Sequence, residues 1–149
     1  MFARNGFLAP VIMVVEDDES VLEVIQNLLE RKGFRVITAA SENAAVILEA
    51  TYAGEIALLL ADVVLESGSG PDIARHLRSR RPSVTVLYMS GHLADTVLTQ
   101  EDMLDAEGFV AKPFTLQSML GQVEFALKIR ADRDLDRGTG RVRPSEWYD

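Results

Sequence analysis

Pro10-Val11-Ile12-Met13-Val14-Val15-Glu16-Asp17-Asp18-Glu19 is an unbroken apolar run that ends abruptly in four acids. A strand that alternated apolar and polar residues would have one wet face. A continuous apolar run instead fits a strand buried on both faces, as in a parallel sheet with helices above and below. On that reading the four carboxylates lie just beyond the strand's carboxyl end. Ligands of open α/β sheets bind at that end.

The same grammar repeats down the chain. Ser20 to Lys32 sets Val21, Val24, Ile25, Leu28 and Leu29 on one helical face, and Gly33 follows as a stop. Phe34 to Ala39 reads as a second strand. Ser41 is placed to cap a helix carrying Ala44, Ala45, Leu48 and Tyr52. Ile56 to Ala61 is again wholly apolar, and Asp62 ends it. A turn-rich stretch, Glu66-Ser67-Gly68-Ser69-Gly70, precedes a helix from about Pro71, a residue favoured at the first helical position. That helix has Ile73, Ala74 and Leu77 on its apolar face, and Arg80-Arg81-Pro82 closes it. Val84 to Met89 is the fourth strand, and a short helix is expected between Leu93 and Leu104. Gly108 to Ala111 is the fifth strand. Thr115 caps a last helix with Leu116, Met119, Leu120, Val123 and Leu127 on one face. Five strand–helix repeats give an α/β domain with a five-stranded parallel sheet covered on both sides by right-handed crossovers.

The domain is expected over residues 10–130, with an N-terminal extension at 1–9 and a charged tail at 131–149. The chain has 149 residues, no cysteine and no apolar run of membrane-spanning length. It begins without a signal-peptide pattern. These features suggest a soluble, cytoplasmic protein whose core needs no disulfides. The formal charge is −8. Of the 15 Lys/Arg and 23 Asp/Glu, six and five fall in 128–149, which leaves nine basic against eighteen acidic residues in the body. Such a body repels phosphates, so no nucleic-acid partner is expected.

The polar residues at the strand ends carry the chemistry. Strand one ends in Glu16 and Asp17, strand three in Asp62, strand four in Ser90-Gly91, and strand five in Lys112-Pro113. Two like charges about 4 Å apart repel by ~4 kcal/mol at an effective dielectric of ~20. Three convergent carboxylates therefore call for a cation. Mg²⁺ prefers oxygen ligands and takes one or two carboxylates together with phosphate. Mg²⁺ and the Lys112 ammonium would neutralise Glu16, Asp17 and Asp62. A phosphoryl group on Asp62 would then meet the metal, Lys112 and the Ser90 hydroxyl.

Four segments, Val14-Val15-Glu16-Asp17-Asp18, Ala61-Asp62-Val63-Val64-Leu65, Met89-Ser90-Gly91 and Phe109-Val110-Ala111-Lys112-Pro113-Phe114, together resemble the response-regulator receiver family of two-component signalling. The resemblance covers roughly residues 10–130. It implies a flavodoxin-like (βα)5 three-layer sandwich with strand order 2-1-3-4-5. It further implies that Asp62 is the phosphoacceptor, supplied by a phosphohistidine donor. Glu16, Asp17, Asp62 and the Val64 backbone carbonyl would hold Mg²⁺. Ser90 and Lys112 would bind the phosphoryl group, the Lys112–Pro113 peptide would be cis, and Gly91 would leave room for entry. Ser90 and Phe109 would form the switch.

Three positions depart from the pattern. Glu16 stands where many members have Asp, Glu66 where proline is frequent, and Phe109 where some have Tyr. None removes the chemistry. Val64 and His92 flank the acceptor and are candidates for setting phosphate lifetime. The stretch Val86 to His92 looks similar to receivers of hybrid histidine kinases, so the implied partners are a histidine kinase or a histidine phosphotransfer protein. A downstream protein would bind at the face of the fourth helix, fifth strand and fifth helix, and pairing with a second copy is allowed.

Other features have plainer readings. Arg75, Arg78, Arg80 and Arg81 read as a solvated helix face. His76 is assigned no role, and Trp147 and Tyr148 belong to the tail. Two rival functions fit parts of the same pattern. One is a phosphorylation-independent interaction module, which the complete Glu16, Asp17, Asp62, Ser90 and Lys112 set disfavours. The other is a Mg²⁺-dependent aspartyl-phosphate phosphatase, which needs a second acid/base near the nucleophile, where this chain has Val64. The chain is therefore expected not to be an enzyme beyond taking and slowly losing its own phosphoryl group.

Overall fold

The computed structural model describes residues 9–91 and 98–139. Expectations for residues 1–8, His92, Trp147 and Tyr148 lie outside the described residues. The sheet strands are β1 (Val11–Val15), β2 (Arg35–Ala39), β3 (Leu58–Asp62), β4 (Thr85–Ser90) and β5 (Gly108–Ala111). They pair in parallel in the order β2-β1-β3-β4-β5, as the family resemblance implied. The helices are α1 (Glu19–Arg31), α2 (Glu42–Thr51), α3 (Gly70–Arg80), α4 (Gln100–Asp105) and α5 (Leu116–Thr139).

The unbroken apolar runs are explained by two cores, one on each face of the sheet. Along β1, Met13 and Val15 face one core, while Ile12 and Val14 face the other. Strands β3 and β4 divide in the same way. The first core packs Leu59, Ala61, Val86 and Tyr88 against Ala45 of α2 and Ile73, Ala74 and Leu77 of α3. The second packs Leu58, Leu60, Leu87 and Met89 against Ile25 and Leu29 of α1 and Met119, Val123 and Leu127 of α5. Each fully buried aliphatic side chain contributes ~1.5–3 kcal/mol relative to exposure. Either face left bare would forfeit several of these.

Helix starts follow local capping chemistry. Asp18 accepts from the Ser20 and Val21 amides, Ser41 from Ala44, Ser69 from Asp72, and Thr115 from Ser118. Gly33, at φ +97°, takes the left-handed conformation that ends α1. Val24, read as part of the buried face of α1, instead points outward.

Three further expectations change. Helix α4 begins only at Gln100, because a capping box at Thr99 and Asp102 starts it there. Helix α5 does not stop where its apolar pattern fades near Arg130 but continues to Thr139. Polar contacts hold that stretch: Arg130 donates to the Ser83 carbonyl, and Arg133 pairs with Glu107 at 3.4 Å. Nor is the α3 arginine group a uniform solvated face. Arg81 is mostly buried, donating to Glu49 at 3.1 Å and to the Gly54 and Tyr52 carbonyls at 2.7 and 2.8 Å. Arg78 reaches Glu107 at 2.9 Å. Arg75 and Arg80 stay largely exposed, as read, but are ion-paired to Asp102 and Glu49. No helix among the described residues is long and apolar enough to cross a membrane.

The turn-rich loop after β3 contains a small hairpin, Val64–Leu65 antiparallel to Gly68–Ser69. It returns the chain so closely that a Cβ on Gly70 would lie 2.5 Å from the Asp62 carbonyl oxygen. Gly70→Ala is expected to destabilise the protein by about 1–3 kcal/mol, the usual range for overpacking. Urea unfolding measures this, and a variant as stable as the parent would contradict the close approach.

Candidate functional site

The register of the sheet gathers the strand ends. Val15 pairs with Ala61, Asp62 with Met89, and Ser90 with Ala111. The residues that end β1, β3, β4 and β5 therefore share the carboxyl edge. There the Lys112 ammonium donates to Glu16 Oε1 at 2.8 Å and to Asp62 Oδ2 at 2.7 Å. Glu16, Asp17 and Asp62 each offer a carboxylate oxygen, and these oxygens lie within 4.8 Å of one another.

Each group is held by its own strand or by a neighbour. Glu16 is buried, its amide donates to the Ala39 carbonyl at 3.2 Å, and its Oε2 accepts from the Asp18 amide at 3.1 Å. Asp17 Oδ2 accepts from the Glu66 amide at 2.8 Å. The Lys112 amide donates to the Ser90 carbonyl at 2.7 Å, which ties β5 to the end of β4. The Lys112–Pro113 peptide is cis. Val64 opens the hairpin two residues beyond Asp62, partly exposed. Phe109 is half-buried, its ring centroid 5.9 Å from that of the buried Tyr88. Burial pushes the Tyr88 phenol up to about 12, so it stays neutral.

The electrostatics show one cation shared among too many anions. Burial pushes the Glu16 carboxyl above its ordinary value. Lys112 and the Asp18 amide pull it back, and the nearby Asp62 charge adds to the rise. Burial works against the Lys112 ammonium, but Asp62 and Glu16 outweigh it and leave Lys112 above its ordinary value. One ammonium thus fails to offset the desolvation of Glu16. The oxygen-only donor set suits a hard divalent cation, so the cluster can hold a metal ion.

Sequence reasoning chose Glu16, Asp17, Asp62 and Lys112, and the fold brings all four together. Ser90 lies on the same edge, and Phe109 lies two strand positions back on β5, level with Tyr88. Two participants were missed. Asp18, grouped with the acidic cluster, instead caps α1, as an Asp just before a helix commonly does. The Glu66 amide holds Asp17, and a backbone donor has no signature in the side-chain pattern.

A family model for the response regulator receiver domain matches residues 12–124. The chain belongs to this family. The transcriptional regulatory protein YkoG of Bacillus subtilis is 31% identical over 130 residues, covering 86% of this chain and 55% of that protein. The sensor kinase CckA of Brucella abortus is 30% identical over 118 residues, 78% of this chain but 12% of the kinase. The receiver spans only about half the length of relatives such as YkoG. Among solved structures, the receiver domain of the hybrid histidine kinase CckA matches with TM-score 0.64 and 26% identity over 78% of this chain and 98% of that one. A receiver from Clostridium thermocellum matches in fold, with TM-score 0.73 and 24% identity over 82% of this chain and 97% of that one.

The raised Glu16 value has a consequence for stability. Between its unfolded value near 4.5 and its higher folded value, the folded receiver binds more protons than the unfolded chain. Stability contributed by this group therefore falls as pH rises through that window. In chelator-containing buffer, Glu16→Gln should flatten the stability profile above pH 4.5. Urea titrations at several pH values check this, and parallel profiles for parent and variant would contradict it.

Proposed function

We propose that this receiver accepts a phosphoryl group on Asp62 from a phosphohistidine donor, with Mg²⁺ held by Glu16, Asp17, Asp62 and the Val64 carbonyl. The observation that carries the proposal is the Lys112 ammonium bridging Glu16 and Asp62 beside a cluster of three carboxylates. In the transfer an Asp62 carboxylate oxygen forms the new P–O bond as the donor's P–N bond breaks. The bonding pair leaves with the imidazole nitrogen, which takes up a proton. The bound metal supplies positive charge to the phosphoryl oxygens and offsets the carboxylates.

The chain's own residues do the rest. Lys112 keeps Asp62 oriented and stays close enough to pair with the incoming phosphoryl group. Ser90, tied to Lys112 through its carbonyl, offers a hydroxyl from the next strand end. Its movement toward the phosphoryl group frees space that Phe109 fills, and the surface of α4, β5 and α5 changes shape. A partner that prefers the changed shape stabilises it, and by linkage favours phosphorylation. The donor is proposed to be a histidine kinase or a histidine phosphotransfer protein. A protein, not nucleic acid, reads the altered face. The receiver is not an enzyme in the turnover sense, since it modifies itself and loses the group slowly. Its proposed compartment is the cytoplasm, consistent with a chain that has no cysteine.

Incubation with Mg²⁺ and a small phosphodonor should add one phosphoryl mass to the parent and none to Asp62→Asn. Intact-mass spectrometry reads this, and a parent that never gains the group overturns the proposal. The residues flanking the acceptor should set the lifetime. Replacing Val64 or His92 with a polar or smaller side chain is expected to change the phosphoryl half-life severalfold, followed by mass over time. Unchanged half-lives at both positions would remove them from that role.

A further inference from the structure

We infer that the backbone amide of Glu66 is a positioning group for the metal site, holding the Asp17 carboxylate in its ligating orientation. The inference rests on the reading of Glu16, Asp17 and Asp62 as a metal centre.

The geometry is direct. The Glu66 N–H donates to Asp17 Oδ2 at 2.8 Å across 49 positions of sequence. Asp17 is only half-buried and follows the last residue of β1 by two positions, so nothing in its own strand fixes its side chain. The donor, by contrast, sits in a closely held loop. Val64 and Leu65 pair with Ser69 and Gly68. The Ser69 amide donates to Glu42 Oε1 at 3.0 Å, the Val63 amide to the Met89 carbonyl at 3.0 Å, and the Gly70 amide to the Val63 carbonyl at 3.0 Å. The loop is therefore anchored to α2, β4 and itself, and it presents one free N–H to Asp17.

A hydrogen bond to a carboxylate is stronger than one between neutral groups. It fixes one oxygen of Asp17 and leaves the other for a cation. Ligands locked before the ion arrives lose less freedom on binding. The Glu66 side chain is exposed and plays no part. Any residue with an N–H can make this bond in this chain; proline, frequent at this position in the family, cannot.

The test separates the amide from the side chain. Mg²⁺ affinity is measured by calorimetry on the full chain for the parent, Glu66→Ala and Glu66→Pro. Glu66→Ala should bind Mg²⁺ within about twofold of the parent, and Glu66→Pro about tenfold more weakly. Melting in chelator shows whether Glu66→Pro is folded. Should it fail to fold, amide hydrogen exchange in chelator decides on the parent and Asp17→Ala alone. The Glu66 amide should then exchange at least about tenfold faster in Asp17→Ala, while the Ser69 amide keeps its protection. Equal Mg²⁺ affinity in folded Glu66→Pro, or unchanged Glu66 exchange in Asp17→Ala, overturns the inference. A parent that binds no Mg²⁺ overturns the metal reading itself, and the exchange measurement then reports on the hydrogen bond separately.

Discussion

Among the described residues, Lys112 is the cation paired with the carboxylates at the carboxyl edge of the sheet, and it reaches Glu16 and Asp62 from the end of β5, a strand that pairs with neither β1 nor β3. Its bridge spans 96 and 50 positions of sequence. It can form only if β1, β3, β4 and β5 end at a common level, so the β1–β3, β3–β4 and β4–β5 registers all bear on it. It also leaves the edge under-neutralised. A single ammonium is shared by two carboxylates, with Asp17 close by, and burial holds the Glu16 carboxyl above its ordinary value despite it. An edge built this way can hold added positive charge.

The opposite edge is built differently. Below the amino ends of β4 and β5, Glu107 takes Arg78, Arg133 and the Val86 amide. Glu49, buried under α3, is ringed by Arg80 and Arg81, with His76 at 3.7 Å. Here each of these carboxylates meets two arginines, and arginines also satisfy backbone carbonyls such as Ser83 and Gly54. Breaking one partner of such a buried pair is costly, since the other is left uncompensated. These arginines fasten α2, α3 and the far part of α5 to the sheet. Buried carboxylates at one end are matched by arginines, while at the other three carboxylates crowd around the Lys112 ammonium.

The hairpin between β3 and α3 joins the two demands. It must turn tightly enough for Gly70 to approach the Asp62 carbonyl, yet stay ordered enough to keep the Glu66 amide on Asp17. Its pairing through Val64 and Leu65 is short, and its anchors on Glu42 and Met89 lie outside the loop. Asp62 is thus set in a backbone that other elements fix.

The sequence by itself determined the five strand–helix repeats, the parallel sheet and the four side chains of the site. Apolar periodicity and capping residues report burial directly, and polar residues that end buried strands have one edge to occupy. The family resemblance added the strand order. The capping residues that start α4 and that take Asp18 away from Asp17 are local signals the apolar pattern passes over, whereas only the tertiary structure decided how far α5 runs and which arginines are buried. These outcomes depend on partners remote in sequence, such as Ser83 for Arg130 and Glu49 for Arg81. The Glu66 amide is the extreme case: every residue but proline carries that donor, so only the folded backbone shows where it points.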